Sequence, residues 1–323
     1  MASDIVITPK ITPEQITVLN RQVRELDRLL DNPFRNPQPI GQAGILEQIG
    51  RLLWEVSGLH ADELLDALDE ARDAEIPVRL IVTDATLHHL PWELLYHDNP
   101  KLGFVARHPW CVVVRRFRGN GTRPPRRLPK PFRLLLFIAS LEDLDPARSR
   151  LDFEREEELL FTALDRPLAQ GEVSIDVAED GCLPTLIERL EEHRYHAVIL
   201  SMHGTAARNK EGEEEWGLLF EDERTGRSAP VAGSDLTAQL DQLPAGHRPG
   251  LVVLSVCRSA TAEESANPIT SIACQLHESG IERVLGMRLS VLDDAASAFS
   301  AELFRRVARG ESLGRAVCFY RQG

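Results

Sequence analysis

The sequence predicts an α/β protein in which a mainly parallel sheet, with helices on both faces, follows a smaller α+β N-terminal subdomain. Apolar strand patterns alternate with amphipathic helix patterns from residue 132 onward, and this βαβα order is typical of parallel sheets with helices on both faces. Before residue 118 the order differs, because two helical patterns precede most of the short strands. A segment rich in Arg, Pro and Gly lies between the two parts.

The N-terminal part contains strand and helix patterns but no arrangement of residues that is typical of catalysis. Pro91 suits the first turn of a short helix, because its φ is already helical and it has no N–H to leave unpaired. Trp92, Leu94 and Leu95 then cover a core. The predicted elements are strands at 5–8, 77–83, 102–106 and 111–117 and helices over 13–31 and 61–73.

The connecting segment is basic and irregular. Eight basic residues and no acidic ones lie between Arg115 and Arg133, with four prolines and two glycines among them. Proline removes backbone donors and glycine adds conformational freedom, so the segment is interpreted as a solvated linker, with a nucleic-acid-binding patch as the alternative. We therefore divide the chain into residues 1–118, a linker at 119–131, and residues 132–323.

The second part alternates strands and helices along its whole length. In parallel sheets of this kind, ligands and chemistry are found outside the carboxyl ends of the strands. That edge is therefore the expected place for a site. Predicted strands lie at 133–139, 173–178, 196–202, 251–256 and 282–287, and predicted helices at 152–168, 183–193, 235–242, 268–279 and 294–309.

Composition restricts the classes of function. The 323 residues are 43% hydrophobic and 27% charged, which is typical of a globular protein. The net charge of −13 should repel nucleic acid and anionic membrane surfaces, so neither is an expected partner. The N-terminus lacks the apolar core of a signal peptide, and the strongly apolar run Leu134 to Ala139 is far too short to span a membrane. We expect a cytoplasmic location.

The sequence predicts no disulfide framework, no metal and no cofactor. Its five cysteines are odd in number and widely scattered, which does not favour pairing in a cytosolic protein. Gly119 and Gly121 begin a G-x-G pattern, but Pro124 occupies the place of the third glycine of a dinucleotide loop. Three His and Cys pairs lack further ligands at zinc spacing, namely His88–His89, His193 with His196, and Cys274 with His277.

Two chemically reactive residues lie at the ends of consecutive strands of the second part. His203 and Gly204 end the run HAVILSMHG, and Cys257 ends the run LVVLSVC. If these two strands are neighbours, the thiol and the imidazole lie together at the carboxyl edge of the sheet. An imidazole can accept the thiol proton and return it later, which is what nucleophilic attack by sulfur on a carbonyl requires.

The same motif offers donors for the negative charge that such an attack creates. The backbone N–H groups of Gly204 and Cys257 are the natural donors to a tetrahedral oxyanion. Glycine suits this place, because without a Cβ it lets a substrate carbonyl approach the amide closely. The positive charge of Arg258 would favour the thiolate if the side chain lies near the sulfur.

At these residues the sequence resembles the CHAT domains, a caspase-like family of cysteine proteases in the clan of caspases and separases. The resemblance covers nearly the whole chain, and its motifs occur in the order of the family. The matching motifs are PWELL at 91–95, HG at 203–204, LSVCRSA at 254–260, WGLLFED at 216–222, SDL at 234–236 and GIERVLGMRLSVLDDAASAFSAELF at 280–304.

The resemblance implies a caspase-like fold in which His203 is the general base and Cys257 the nucleophile. It also implies that the Gly204 and Cys257 amides bind the oxyanion. The N-terminal subdomain would then be part of the CHAT region, with a pseudo-caspase-like fold as one possibility. Relatives specific for Arg or Lys often have an acid two positions before the nucleophile, whereas this chain has Ser255. Side-chain specificity therefore stays open.

Further residues are candidates for substrate binding. Asp143 and Asp145 lie in the loop after the first strand of the second part. In caspases this loop contributes a residue to the primary specificity pocket, so both are candidates for that role. An equally weighted alternative is that they are solvated turn residues. Trp216 and the acidic run Glu211 to Glu215 are candidates to border the substrate groove. The alternative is that the acidic run is an exposed loop and that Trp216 is a core residue. The loop that contains this acidic run, and residues 258–268, are candidate sites for proteolytic cleavage or for a segment that becomes ordered on activation.

The resemblance implies a cysteine endopeptidase that cleaves a protein substrate through a thioester acyl-enzyme. By the same analogy a regulatory protein acting in trans, or proteolytic activation, would control it, with bacterial defence or cell death as its setting. Two alternatives remain. One is a catalytically idle caspase-like scaffold that binds partners, and the other is an acyl hydrolase that uses the same dyad on a small ester or amide in a closed pocket.

Overall fold

The computed structural model describes residues 4–30, 39–117, 130–144, 153–258, 268–286 and 293–320. The chain divides into two units, one made of Met1–Arg118 with Arg309–Gly323 and the other of Gly119–Ala308. The predicted linker at 119–131 begins at this boundary, and its residues up to 129 lie outside the described ones.

A three-stranded parallel sheet forms the centre of the first unit within its described residues. Its strand order is β1-β2-β5, while β3 and β4 form a short antiparallel pair. The elements are β1 (Asp4–Ile7), α1 (Pro13–Leu30), α2 (Pro39–Ser57), α3 (Ala61–Ala74), β2 (Val78–Val82), β3 (Tyr96–His97), β4 (Gly103–Phe104) and β5 (Cys111–Arg115).

Local sequence signals explain where α1 begins. Thr12 and Gln15 form a reciprocal capping box, since the Thr12 N–H donates to Gln15 Oε1 at 2.9 Å and the Gln15 N–H donates to Thr12 Oγ1 at 3.3 Å. Pro13 occupies the first turn, where its missing N–H is not needed. The helix then buries Leu19 and Leu26 in the core of the first unit.

The PWELL motif forms a short 3₁₀ helix, Trp92–Leu94, where the sequence predicted a short helix, and Pro91 lies at its N-cap instead of in its first turn. Trp92 is fully buried and its indole Nε1–H donates to the carbonyl oxygen of Leu87 at 2.8 Å. Arg115, the last residue of β5, forms an ion pair with Glu93 and donates to the carbonyl oxygen of Leu90 at 2.9 Å. These contacts bind the turn to the sheet, so the motif serves the core of the first unit.

Helix α2 was not among the sequence predictions, because Gly41, Gly44 and Gly50 lower its helix propensity. Gly50 is needed for packing. A Cβ at this position would lie 2.3 Å from the Leu94 carbonyl oxygen and 2.5 Å from the Tyr96 Cβ. The helix approaches the PWELL turn closely only because residue 50 lacks a side chain.

Gly50→Ala is therefore expected to force α2 away from this turn and to lower the free energy of unfolding by about 1–3 kcal/mol. Gly44→Ala is the matched control in the same helix, since a Cβ there meets no atom within 4 Å. The control should raise the free energy of unfolding by about 0.5–1 kcal/mol. Urea denaturation measures both, and equal effects of the two substitutions would contradict this account of the packing.

The second unit contains a mainly parallel sheet that, in its described residues, has seven strands. Strands β7, β6, β8, β11 and β12 are parallel neighbours in that order, and β9 and β10 add an antiparallel hairpin beside β8. The elements are β6 (Phe132–Ile138), α4 (Phe153–Ala169), β7 (Val173–Val177), α5 (Leu183–Glu192), β8 (Ala197–Arg208), β9 (Glu214–Glu221), β10 (Ser228–Ala232), α6 (Gly233–Leu240), β11 (Leu251–Arg258), α7 (Pro268–Glu278), β12 (Arg283–Gly286) and α8 (Asp293–Ala308).

Helices cover both faces of this sheet, so the predicted fold class is confirmed. On one face, alternate residues of the strands, among them Leu200, Leu254 and Phe137, form an apolar core with residues of α5, α6 and α7. On the other face α4 and α8 pack against each other, and the rings of Phe132 and Phe304 join β6 to α8.

Two features of this unit differ from the sequence prediction. The segment Glu211 to Glu215 was predicted as a loop, but β9 already begins at Glu214. Strand β8 was predicted to end at residue 202 and instead continues to Arg208, because residues 203–208 pair with β9. The hairpin thus extends β8 beyond the parallel part of the sheet.

The last helix, α9 (Leu313–Tyr320), belongs to the first unit. The Arg315 guanidinium lies over the Trp110 ring at 4.7 Å, and Cys318 Sγ lies 3.0 Å from the carbonyl oxygen of Cys111. The sequence division assigned residues 132–323 to a single C-terminal part. In the structure the second unit ends at Ala308, because the final helix packs on β5.

Candidate active site

Strands β8 and β11 are neighbours, and their register pairs His203 with Cys257. Paired positions on adjacent strands lie roughly 4.8 Å apart and share one face of a pleated sheet. The parallel ladder ends one residue further on, where Gly204 pairs with Arg258. The two positions that the sequence singled out therefore meet at the carboxyl edge of the parallel ladder. The side chains of Cys257 and Arg258 lie outside the described part of the structure.

The His203 side chain is buried, with 5% of its surface exposed. Burial lowers the pKa of His203, because removing the ring from water disfavours the charged imidazolium. The ring is therefore neutral at pH 7. A neutral imidazole has a ring nitrogen free of a proton, which is the form that can act as a base.

We expect this lowered pKa to be measurable in a Cys257→Ala variant, where no thiolate influences the ring. The His203 ring should titrate below the usual value of about 6.5. Because the unfolded chain then binds a proton more readily than the folded one, this group should reduce stability as the pH falls below about 6.5 and have no effect above about 7.5. NMR titration of the ring protons, assigned by comparison with His203→Ala, gives the pKa, and a value at or above 6.5 would contradict the expectation.

Gly204 and Ser255 lie beside the two central positions. Gly204 is buried in β8 directly after His203. Ser255 is buried two residues before Cys257 and pairs with Ser201, so these two serines share the face of His203 and Cys257. Their roles in binding an oxyanion or a substrate stay predictions.

Asp143 is exposed and bound to the start of β10. Its carboxylate accepts hydrogen bonds from the Ser228 backbone N–H at 2.9 Å and from the Ser228 hydroxyl at 2.7 Å. The hydroxyl bond in particular lowers the pKa of Asp143, so the carboxylate is charged at neutral pH. β10 is separated from β8 by one strand, β9. Asp145, the second acid predicted for the pocket, lies outside the described residues.

Trp216 is half-buried in β9 and packs against the apolar core of the second unit. It pairs with Ala206, three residues beyond His203, and successive residues of a strand point to opposite faces. The ring therefore lies on the face opposite to His203. This packing agrees with the alternative that Trp216 is a core residue. A role for Trp216 at the substrate groove stays a prediction.

Sequence reasoning did not single out a buried polar contact on the His203 face. The Ser201 hydroxyl donates to Glu156 Oε2 at 2.5 Å, and both residues are buried. A signal was available in the helix pattern, since Glu156 shares the buried stripe of α4 with Leu160 and Leu164 at four-residue spacing. An acid on an apolar stripe is the informative exception.

Neither a metal cluster nor a membrane-crossing helix is found in the described ranges. Among these residues, no group of three or more His, Cys, Asp or Glu could hold a metal ion. No helix of the described part is both long and apolar enough to cross a bilayer.

The fold and the paired positions together define a class of protein. It is a mainly parallel α/β protein with a buried histidine and a cysteine at paired positions of adjacent strands. The CHAT domain model matches residues 44–319, most of the chain, and the chain therefore belongs to the CHAT domain family. This is a caspase-like protease family, as the motif resemblance predicted.

Among the solved structures to which the chain is similar is the "Crystal structure of the Arg specific cysteine proteinase gingipain R (RGPB)". The sequence identity is 9% and the TM-score is 0.44, with 99% of this chain and 71% of that chain covered. No curated protein matches the chain.

Proposed function

We propose that the chain is a cysteine endopeptidase that cleaves a protein substrate, with Cys257 as nucleophile and His203 as general base. The observation that carries the proposal is the register that pairs these two residues on adjacent strands. Membership of a caspase-like protease family supports it. Burial of His203, which keeps its imidazole neutral, supports the role of base.

The reaction follows from the chemistry of the two groups. His203 accepts the Cys257 thiol proton, and the sulfur attacks the carbonyl carbon of the scissile peptide bond. The tetrahedral intermediate then loses the amine, which leaves with the proton returned by His203, and a thioester remains on Cys257. Water, deprotonated by His203, attacks the thioester and releases the acid product with the free thiol.

Other groups have proposed roles in the same reaction. The Gly204 and Cys257 N–H groups bind the oxyanion. Ser255, Arg258, Trp216, Asp143 and Asp145 are candidates for substrate binding. Asp143 has a charged, exposed carboxylate held by Ser228, which suits contact with a basic substrate side chain.

The other four cysteines are poor nucleophiles. Cys111, Cys182 and Cys318 are buried. Burial, with the neighbouring Asp180, raises the pKa of Cys182 to about 12. Burial, with Glu278, raises the pKa of the half-buried Cys274 to about 12. A reactive thiol in this chain is therefore expected at Cys257, because thiolate and not thiol reacts.

The proposal extends to biological setting by family analogy. The enzyme acts in the cytoplasm, and a regulatory protein in trans or proteolytic activation controls it. Bacterial defence or cell death is the proposed context. An isolated chain that cleaves its substrate at full rate, unchanged by any partner or by processing, would contradict this control.

A peptide-library digest tests the activity. The wild-type chain and a Cys257→Ala variant are incubated with the same library, and new termini are identified by mass spectrometry. The proposal predicts new termini with the wild type alone, and the aligned sites would report the preferred side chain. Cleavage by neither protein, with release of acid from small thioesters or esters, would favour an acyl hydrolase. No turnover of any kind, even after addition of candidate activators, would favour the idle scaffold.

A further inference from the structure

Glu156 is a buried carboxylate on the side of α4 that faces the sheet. Only 5% of its surface is exposed, and its neighbours on the stripe, Leu160 and Leu164, are buried leucines. Burying a carboxylate is unfavourable unless hydrogen bonds compensate for the lost water. An apolar side chain at position 156 would fill the same layer without that penalty, so packing alone does not explain the acid.

Glu156 accepts a hydrogen bond from strand β8. The Ser201 hydroxyl, which is fully buried, donates to Glu156 Oε2 at 2.5 Å. A hydroxyl that donates to a carboxyl oxygen makes a directional contact, unlike the apolar contacts of the neighbouring leucines. The bond joins α4 to β8 across residues far apart in sequence, so it fixes a helix to a strand.

The contact lies on the strand and on the face of the proposed dyad. Ser201 precedes His203 by two residues in β8, so both occupy the same face, with Cα atoms roughly 6.6 Å apart. Ser255, also buried, pairs with Ser201 and precedes Cys257 by two residues. Three buried polar residues, Glu156, Ser201 and Ser255, therefore lie on the face of His203 and Cys257, with the two serines one pleat before the proposed dyad.

We propose that Glu156 is a positioning residue for His203. Its hydrogen bond to Ser201 fixes the carboxyl-terminal half of β8 against α4. This contact keeps the His203 ring where it can accept the thiol proton of Cys257. Apolar contacts allow small shifts between a helix and a strand, whereas a hydrogen bond restricts distance and angle. A shift of about 1 Å is enough to reduce proton transfer greatly. This inference rests on the proposed function of the dyad.

The test measures the rate of Cys257 alkylation by iodoacetamide, resolved by mass spectrometry, in variants shown to be folded by circular dichroism. Glu156→Leu and Ser201→Ala each remove the bond and should slow alkylation about tenfold. Glu156→Gln should restore the rate to within about twofold of wild type, because its amide oxygen still accepts the Ser201 hydroxyl hydrogen bond. Combined with His203→Ala, neither substitution should slow the reaction further, because both act through that histidine.

Leu160→Ala is the matched control, since it removes a buried side chain one turn along the same stripe of α4. It should lower the melting temperature while leaving the alkylation rate within about twofold of wild type. The inference is overturned if Leu160→Ala slows alkylation as much as Glu156→Leu. It is also overturned if Glu156→Gln is as slow as Glu156→Leu, or if Ser201→Ala reacts at the wild-type rate.

The proposed function can fail in a different and recognisable way. A wild-type Cys257 that reacts no faster than the other four cysteines, with or without His203, would overturn the proposed function and this inference with it. A reactive Cys257 that depends on His203 but is unaffected by the loss of Glu156 and Ser201 would overturn this inference alone.

Discussion

His203→Ala is expected to lower kcat/KM for peptide cleavage by about three orders of magnitude, the size of effect typical of losing a general base. The thiol of Cys257 would then lack a nearby acceptor for its proton, and the leaving amine would lack a donor. Cys257→Ala removes the nucleophile itself and should abolish cleavage. The kcat/KM of both variants is measured on the peptide that the wild type cleaves best in the library digest. Active-site concentration and folding are checked for each variant.

Cys274→Ala is the matched control for the cysteine substitution. Cys274 is half-buried with a raised pKa, so its loss should leave kcat/KM within about twofold of wild type. Cleavage by Cys257→Ala at the wild-type rate would show that another group is the nucleophile. An unchanged kcat/KM in the His203→Ala variant would show that the imidazole has no part in the mechanism.

The second large effect is expected in stability. Trp92 is fully buried in the first unit, and its indole N–H donates to the Leu87 carbonyl oxygen at 2.8 Å. Trp92→Ala would leave a large cavity and would remove one of the two hydrogen bonds to the Leu87 carbonyl oxygen, which also accepts from the Leu90 N–H. It should lower the free energy of unfolding by about 3–5 kcal/mol. Urea denaturation followed by far-ultraviolet circular dichroism measures the change.

Trp92→Phe separates the two contributions, because it keeps most of the ring and removes the N–H donor. Its expected loss is about 1–2 kcal/mol. A loss below about 1 kcal/mol for Trp92→Ala would mean that the PWELL turn is not part of the core of the first unit.

Much of the second unit could be predicted from the sequence, because its strands are short apolar runs and its helices are amphipathic. The strand predicted at 133–139 is β6 (Phe132–Ile138), and the helix predicted over 183–193 is α5 (Leu183–Glu192). The β9–β10 hairpin was missed, because its first strand begins inside an acidic run that is typical of a solvated loop. Helix α2 was missed because its glycines are unfavourable in a helix. The reason for Gly50 is its close approach to Leu94 and Tyr96, which are distant in sequence.

The candidate site was predictable in part for a similar reason. A histidine and a cysteine at the ends of consecutive apolar strands indicate an edge of the sheet, and the register then pairs them. The contact of Glu156 with Ser201 joins a helix to a strand 45 residues away. Spacing along the chain contains no information on such a contact, so only the fold could reveal it. The extension of β8 beyond His203 likewise depends on pairing with β9.

The central claim is that His203 activates the thiol of Cys257. Its most direct test is the rate at which each of the five cysteines is alkylated in the native chain, compared between wild type and His203→Ala. The account predicts that Cys257 reacts much faster than the others in the wild type and slows at least about tenfold without the imidazole. Equal labelling of the five cysteines, or a Cys257 rate that does not change when His203 is removed, would contradict it.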